Sequence, residues 1–174
     1  MKNKIIIIIA LFLITPCAHS QHVTKSMPVN IPLNSTKESA VQKLLNKGYW
    51  LCGSREEDGY NILEYMKDEK VSLWFKGNTI SIVSWGLSGG LTRSGDAALI
   101  EKELKQVYGI EPYKCAYKES NYYPQIEQYY HWKGNTIILS IEEIYILSNA
   151  DAEKRFEKKI QTPGWSAKNM SIYY

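Results

Sequence analysis

A glycine-rich segment carries the one pattern in the sequence that matches a catalytic motif. Residues 86–90 read GLSGG and fit the Gly-x-Ser-x-Gly turn on which serine hydrolases present their nucleophile. That turn lies between a strand and a helix of a parallel sheet, and it needs a histidine base and an acid close by. Here the helix is predicted to begin only at Ser94, the strands come in hairpins, and His131 and Asp96 would have to complete the triad. A serine hydrolase using Ser88 is therefore a distant alternative to a simple loop.

The other acid–base and metal-binding side chains form no recognisable centre in the sequence. His131 stands alone on a predicted strand, whereas a zinc site needs three or four ligands at suitable spacings. Glu142 and Glu143 are adjacent on a strand, so they should face opposite sides of it. We therefore expect no cofactor, no metal site and no enzymatic activity.

Aromatic residues are the one compositional excess, with 13 tyrosines and 5 tryptophans. Tyr and Trp exposed on a sheet suit protein–protein contacts, because they bring large contact area with little rotamer entropy, and they also suit stacking on sugars. Ordinary strand propensity is the structural alternative. The residues predicted to form a binding face are Trp74, Trp85, Tyr122, Tyr123, Tyr129 and His131.

The amino terminus predicts export. Residues 1–20 combine a positively charged start, an uncharged apolar run and the small residues of Ala18–Ser20, which is typical of a cleavable signal peptide. The run is shorter than the ~20 residues that a membrane-spanning helix needs. We expect a mature chain that begins at Gln21, has no integral membrane segment and is periplasmic or extracellular. Lipidation at Cys17 is less favoured, because Pro16 precedes it.

The charge balance of the mature chain argues against a nucleic-acid partner. Two of the 21 basic residues, Lys2 and Lys4, would leave with the signal peptide, so 19 basic residues would stand against 18 acidic ones. Nucleic-acid-binding domains carry a clear basic excess.

Cys52 and Cys115 would be the two cysteines of the mature chain. An even count in an exported protein favours a disulfide. Each cysteine closely follows a glycine that is predicted to end a helix, Gly48 or Gly109, so the two occupy similar places in the two predicted repeats. We expect them to be bonded to each other, and two small buried thiols are the alternative.

A five-residue sequence occurs twice and marks two predicted hairpins. KGNTI stands at 76–80 and again at 133–137, an offset of 57 residues, each time between an aromatic-rich and an isoleucine-rich run. Gly-Asn between alternating apolar runs is typical of a two-residue β-hairpin turn. Before the first turn, Val71, Leu73 and Phe75 should share one face of a strand. The repetition indicates a duplicated unit.

Helices are predicted to begin at Ser35, Ser94 and Ser148, of which the first two end at Gly48 and Gly109. Strands are predicted at 49–55, 60–67, 70–76, 79–85, 113–118, 125–133 and 136–147. A bulge near Glu142 would explain the change of apolar parity in the last strand. The tail is expected to fold back through Trp165.

These elements predict an α+β fold that is a tandem repeat of helix plus antiparallel β-strands, in α-β-β-β-type units, with a C-terminal helix. The predicted segments are a signal peptide (1–20), an extended lead-in (21–34), repeat 1 (35–91), repeat 2 (92–148), and a C-terminal helix and tail (149–174).

In outline, this doubled plan resembles the secreted β-lactamase inhibitor proteins, and the resemblance implies binding of another secreted protein without indicating functional residues. We expect a non-catalytic, exported protein-binding module of inhibitor or immunity type, whose partner is another exported protein. The alternative is a cell-envelope protein that binds a glycan or a small ligand through its Tyr/Trp face.

Overall fold

The computed structural model describes residues 29–86, 112–121, 125–140 and 143–168, together with helical positions 102, 105 and 106. Several sequence predictions fall outside these residues: the signal peptide, most of the lead-in, the boundary between residues 91 and 92, Cys17, Ser88, Ser94, Asp96, Gly109, Tyr122, Tyr123 and Glu142.

Apart from the three isolated helical positions, the described residues form two helices and nine strands. The helices are α1 (Lys37–Asn46) and α2 (Asn149–Gln161). The strands are β1 (Trp50–Glu57), β2 (Tyr60–Met66), β3 (Lys70–Lys76), β4 (Thr79–Gly86), β5 (Pro112–Lys118), β6 (Gln125–Trp132), β7 (Asn135–Leu139), β8 (Glu143–Ser148) and β9 (Trp165–Lys168).

All nine strands belong to one antiparallel sheet, in the order β1-β2-β3-β4-β8-β7-β6-β5-β9. The prediction of a tandem helix-plus-strand repeat is therefore wrong, although the broader α+β character holds. Strands β1 to β4 form a meander, and the next neighbour of β4 in the sheet is β8 and not β5. The resemblance to β-lactamase inhibitor proteins depended on the doubled plan and loses that basis.

The two copies of the repeated phrase form different turns. The first hairpin turns at Gly77 and Asn78, and only Gly77 has positive φ (62°). The second turns one residue earlier, at Lys133 and Gly134, with φ of 48° and 78°. Positive φ at both central positions is typical of a type I′ turn, and positive φ at the first position alone of type II′. Identical residues thus take different registers, which argues against structural equivalence.

The predicted strand 136–147 is in fact two strands. The chain reverses between Leu139 and Glu143, where the Ser140 N–H donates to the Glu143 carbonyl at 3.0 Å. The side-chain hydroxyl of Ser140 also accepts the Glu143 N–H at 3.0 Å. The change of apolar parity therefore reflects a tight turn between β7 and β8, and the predicted bulge is wrong.

Both faces of the sheet are covered by apolar packing. On the α1 face, Ala40 and Leu44 of α1 join a cluster with Val71, Leu73 and Phe75, as the predicted alternation requires. On the α2 face, Ala152 and Phe156 of α2 pack with a second cluster that includes Ile62, Trp74, Ile82, Tyr129, Ile138 and Leu147. Trp165 packs against this second cluster, as expected. A sheet covered on both faces buries consecutive residues of its inner strands.

One of the two predicted helix caps in the described residues is correct, and the other is wrong by one residue. Ser148 caps α2 as predicted, since its hydroxyl accepts the Asp151 N–H at 3.1 Å. The cap of α1 is Thr36 and not Ser35, and its hydroxyl accepts the Ser39 N–H at 3.3 Å. Ser35 instead donates its hydroxyl to the Pro32 carbonyl at 2.7 Å.

Candidate functional site

β1 has the largest share of exposed residues among the strands of the described sheet. β1 is the first strand in the order, so one side of it has no neighbour there, and seven of its eight residues are exposed. In an antiparallel strand, alternate residues direct their N–H and C=O groups away from the paired side. The opposite edge strand, β9, has only four residues. Long open edges of this kind can pair with a strand from another chain.

The first residues of this edge are apolar. Trp50 and Leu51 are each 54% exposed, and with Leu45 (48%) they are the exposed large hydrophobic residues of the described chain. Trp50 lies opposite Met66, and Leu51 lies opposite Tyr65, whose side chain packs on the α1 face. Successive strand residues point to opposite faces, so Trp50 and Leu51 flank the open backbone on both sides.

The last residues of the edge are charged. Arg55 forms ion pairs with Glu64 of β2 and, at 3.3 Å, with Glu57. Its guanidinium also lies 5.5 Å above the Trp74 ring centroid. Arg55 is therefore directed back onto the sheet, and Glu56 and Glu57 leave the exposed end of β1 acidic.

A bulge and a row of charges hold β1 against the sheet. The β1–β2 register shifts between Leu51 and Gly53, and the intervening Cys52 donates its thiol to the Glu64 carbonyl at 3.3 Å. A Cβ on Gly53 would lie 3.1 Å from the Glu64 carboxylate, so this glycine leaves room for the Glu64 side chain. Glu64 lies 3.6 Å from the ammonium of Lys70.

Lys70 extends this row of charges further across the sheet. Its ammonium also reaches Glu143 of β8 at 3.0 Å. Between Lys70 and Glu143 lies Gly86 of β4, the residue paired with Glu143. Because Gly86 has no side chain, the Lys70 side chain can extend across it. These contacts fix the edge strand from its inner side, and no strand of the described ranges pairs with its outer side.

Sequence reasoning missed Trp50 and Leu51 as site residues. The signal available was the absence of alternation: an apolar pair is followed by Cys-Gly-Ser-Arg-Glu-Glu, so neither face of the strand is continuously apolar. Such a pattern is typical of a strand at the edge of a sheet, which covers no core.

Both described cysteines are free, so the predicted disulfide is wrong. Cys52 is exposed on β1, and Cys115 is buried on β5, with six strands between them. Neighbouring strands are spaced by about 4.8 Å, so the seven steps from β1 to β5 place the two cysteines roughly 34 Å apart along the sheet. A disulfide requires Cα atoms within about 7 Å of each other.

Three described members of the predicted aromatic face are buried, and Tyr122 and Tyr123 lie outside the described residues. Trp74 is 5% exposed, and Trp85 and Tyr129 are fully buried, because both faces of the sheet are covered. His131 is exposed and stacks on Tyr113, with ring centroids 3.8 Å apart and an angle of 5° between the planes. Trp74 and Tyr129 thus share the buried cluster beneath α2, whereas Trp85 belongs to the cluster on the α1 face. The described members of the predicted face therefore form no common exposed surface.

A buried ionic cluster lies beneath α2. Glu127 of β6 is 3% exposed and accepts hydrogen bonds from Arg155 and Lys159 of α2, both at 2.9 Å, and from the Tyr129 hydroxyl at 2.8 Å. Burial alone would raise the pKa of Glu127, but the charges and hydrogen bonds of Arg155 and Lys159 outweigh it and lower the pKa.

This cluster joins α2 to the sheet. The Arg155 guanidinium also lies 4.1 Å from the ring centroid of Tyr145 on β8. Burial and the Glu127 charge raise the pKa of Tyr129, so its hydroxyl stays a donor to the carboxylate at neutral pH. With its oxygens occupied by three donors, Glu127 has the environment of a structural anchor and not of a general base.

The part of the chain that the structure describes contains no group of three or more His, Cys, Asp or Glu residues that could hold a metal ion. Nor does any helix in these ranges have the length and apolarity needed to cross a membrane.

Comparison of the chain with protein-family models, with curated proteins and with solved structures finds no match in any of the three. The geometry of the described residues therefore carries the functional argument alone.

Proposed function

We propose that this protein is a non-catalytic, exported protein-binding module, of inhibitor or immunity type, that docks another exported protein on strand β1. The observation that carries the proposal is an eight-residue edge strand with Trp50 and Leu51 both 54% exposed at its start. An exposed strand edge offers main-chain hydrogen bonds, and side chains on either side of it add specificity. Exposed Trp residues are also frequent hot spots in protein interfaces.

The alternative of a glycan or small-ligand binder has less support. Sugar stacking needs accessible aromatic rings, and the aromatic residues predicted for that role are buried where the structure describes them, namely Trp74, Trp85 and Tyr129. The exposed stack of His131 on Tyr113 is the observation that favours it.

A capture experiment separates the two functions. Tagged wild-type chain, the double variant Trp50→Ser/Leu51→Ser and the matched control Leu45→Ser are incubated with cell-envelope extract, and recovered proteins are identified by mass spectrometry. Leu45 is almost as exposed as the edge residues, but it lies on α1. We expect wild type and control to recover the same protein and the double variant to lose it.

Equal recovery by all three chains would contradict docking on β1. Retention of the wild-type chain on peptidoglycan or polysaccharide, reduced by His131→Ala and unchanged by Trp50→Ser/Leu51→Ser, would favour the ligand-binding alternative.

A further inference from the structure

We infer that the docked part of the partner is an extended segment that pairs antiparallel with β1 and carries basic residues in its N-terminal half and apolar residues in its C-terminal half. This inference rests on the proposed function, because it specifies what that same edge recognises. It follows from the polarity of β1, in which apolar residues occupy one end and acidic residues the other.

The direction of pairing follows from the strand itself. Every described strand pair of the sheet is antiparallel, including β1 with β2. Antiparallel pairing is also slightly more stable per residue than parallel pairing. An added segment that extends this sheet would therefore begin beside Glu57 and end beside Trp50.

The charge at the Glu57 end favours a basic segment. Arg55 is shared between Glu64 and Glu57 and packs on Trp74, so with Glu56 this end of β1 carries more negative than positive charge. Glu56 is exposed on the same edge, and the side chain of Glu57 is 50% exposed. Lys or Arg placed opposite these carboxylates would be favoured, and Asp or Glu disfavoured.

The Trp50 end selects apolar residues. Trp50 and Leu51 point to opposite faces, so two successive apolar residues on the segment could each cover one of them. This arrangement would remove large apolar side chains from water on both sides of the new strand pair.

A second copy of this chain fits the edge poorly. Twofold symmetry makes two β1 strands run antiparallel, which over the full strand places Trp50 and Leu51 beside Glu57 and Glu56 of the other copy. Such pairing would desolvate carboxylates against apolar side chains without supplying an opposite charge. A heterologous segment with the stated polarity avoids this conflict.

A peptide-display selection tests the inference directly. A phage-displayed library of random segments, eight residues long to match β1, is selected on immobilised wild-type chain. We expect the enriched segments to carry Lys or Arg in the first half and large apolar residues in the second half, and to exclude proline from the centre, since proline cannot donate a main-chain hydrogen bond.

Variants identify where the selected segments bind. The best segment, made as a fluorescent synthetic peptide, should bind Trp50→Ser/Leu51→Ser about 30-fold more weakly than wild type, whereas Leu45→Ser should be unchanged. Selection on Glu56→Lys/Glu57→Lys should enrich Asp and Glu where the wild type enriches Lys and Arg. All altered side chains are exposed, and an unreactive Cys115 thiol reports that each variant is folded.

Three results would overturn the inference: no enrichment, enrichment without the stated polarity, or a stable dimer of the chain alone that Trp50→Ser/Leu51→Ser dissociates. If capture of the exported partner still depends on Trp50 and Leu51, the proposed function survives such a failure. If capture of the exported partner does not depend on Trp50 and Leu51 either, the inference and the proposed function both fail.

Discussion

Removal of the Glu127 carboxylate should destabilise the protein more than loss of any exposed ion pair. Glu127 is the buried acceptor to which Arg155 and Lys159 of α2 and the Tyr129 hydroxyl all donate. The variant Glu127→Ala leaves two cations and a buried hydroxyl without their acceptor. Breaking a buried ion pair by removing one partner costs about 3–5 kcal/mol, because the remaining charge stays desolvated.

The expected magnitude lies at the lower end of that range. The side chains of Arg155 and Lys159 are 24% and 27% exposed, so each can recover part of its hydration after the carboxylate is lost. We therefore expect a loss of about 3 kcal/mol in the free energy of unfolding. Small domains have 5–15 kcal/mol in total, so the variant should fold but be clearly weakened.

Urea unfolding followed by circular dichroism measures this loss. With a slope of about 2 kcal/mol per M, the midpoint should fall by about 1.5 M. The matched control is Asp58→Asn, which breaks the exposed 2.6 Å pair of Asp58 with Lys158 and should cost less than about 1 kcal/mol. Equal midpoints for Glu127→Ala and Asp58→Asn would refute the reasoning.

Three further predictions concern Glu127, the cysteines and Trp85. Because the folded-state pKa of Glu127 is lowered, its stabilising effect should be fully present above the unfolded-state pKa of about 4.3 and lost as pH falls through the folded-state value. Urea midpoints between pH 7 and 3 should therefore fall more steeply for wild type than for Glu127→Gln, and parallel curves would contradict this. A thiol reagent should label Cys52 in the native protein and Cys115 only after unfolding, so a native label on Cys115 would be inconsistent with the structure. The indole N–H of Trp85 is buried and has no hydrogen-bond partner in the described structure, so Trp85→Phe should cost clearly less than the about 3–5 kcal/mol of Trp85→Ala, and equal losses in calorimetry would argue otherwise.

Local structure followed from the sequence wherever neighbouring residues determine it. The alternation of Val71, Leu73 and Phe75 located the α1 face of β3, and Ser148 located the start of α2. Hairpin turns near Gly77 and Gly134 were also predicted, because glycine permits the positive φ that both turns use.

The order of the strands and the coverage of the sheet depend on long-range packing. The side chain of Trp74 points to the face of β3 opposite that of Phe75, which suggested that Trp74 is exposed. In the structure, α2 packs on that face and buries Trp74. The unbroken burial from Val71 to Phe75 is the mark of a strand covered on both faces.

The repeated phrase was the most misleading local signal. The two identical five-residue sequences form turns that differ by one residue in position, because strand pairing decides which residues occupy the turn. The candidate site was missed for a related reason: only the order of strands in the sheet shows that β1 is at its edge.

Amide hydrogen exchange in β1, measured on the free chain and on its complex with the captured exported protein, tests the central claim most directly. If a partner strand pairs with this edge, the outward amides between Trp50 and Glu57 should exchange quickly in the free chain and become strongly protected in the complex. Unchanged exchange along β1, with protection confined to other parts of the chain, would contradict the account.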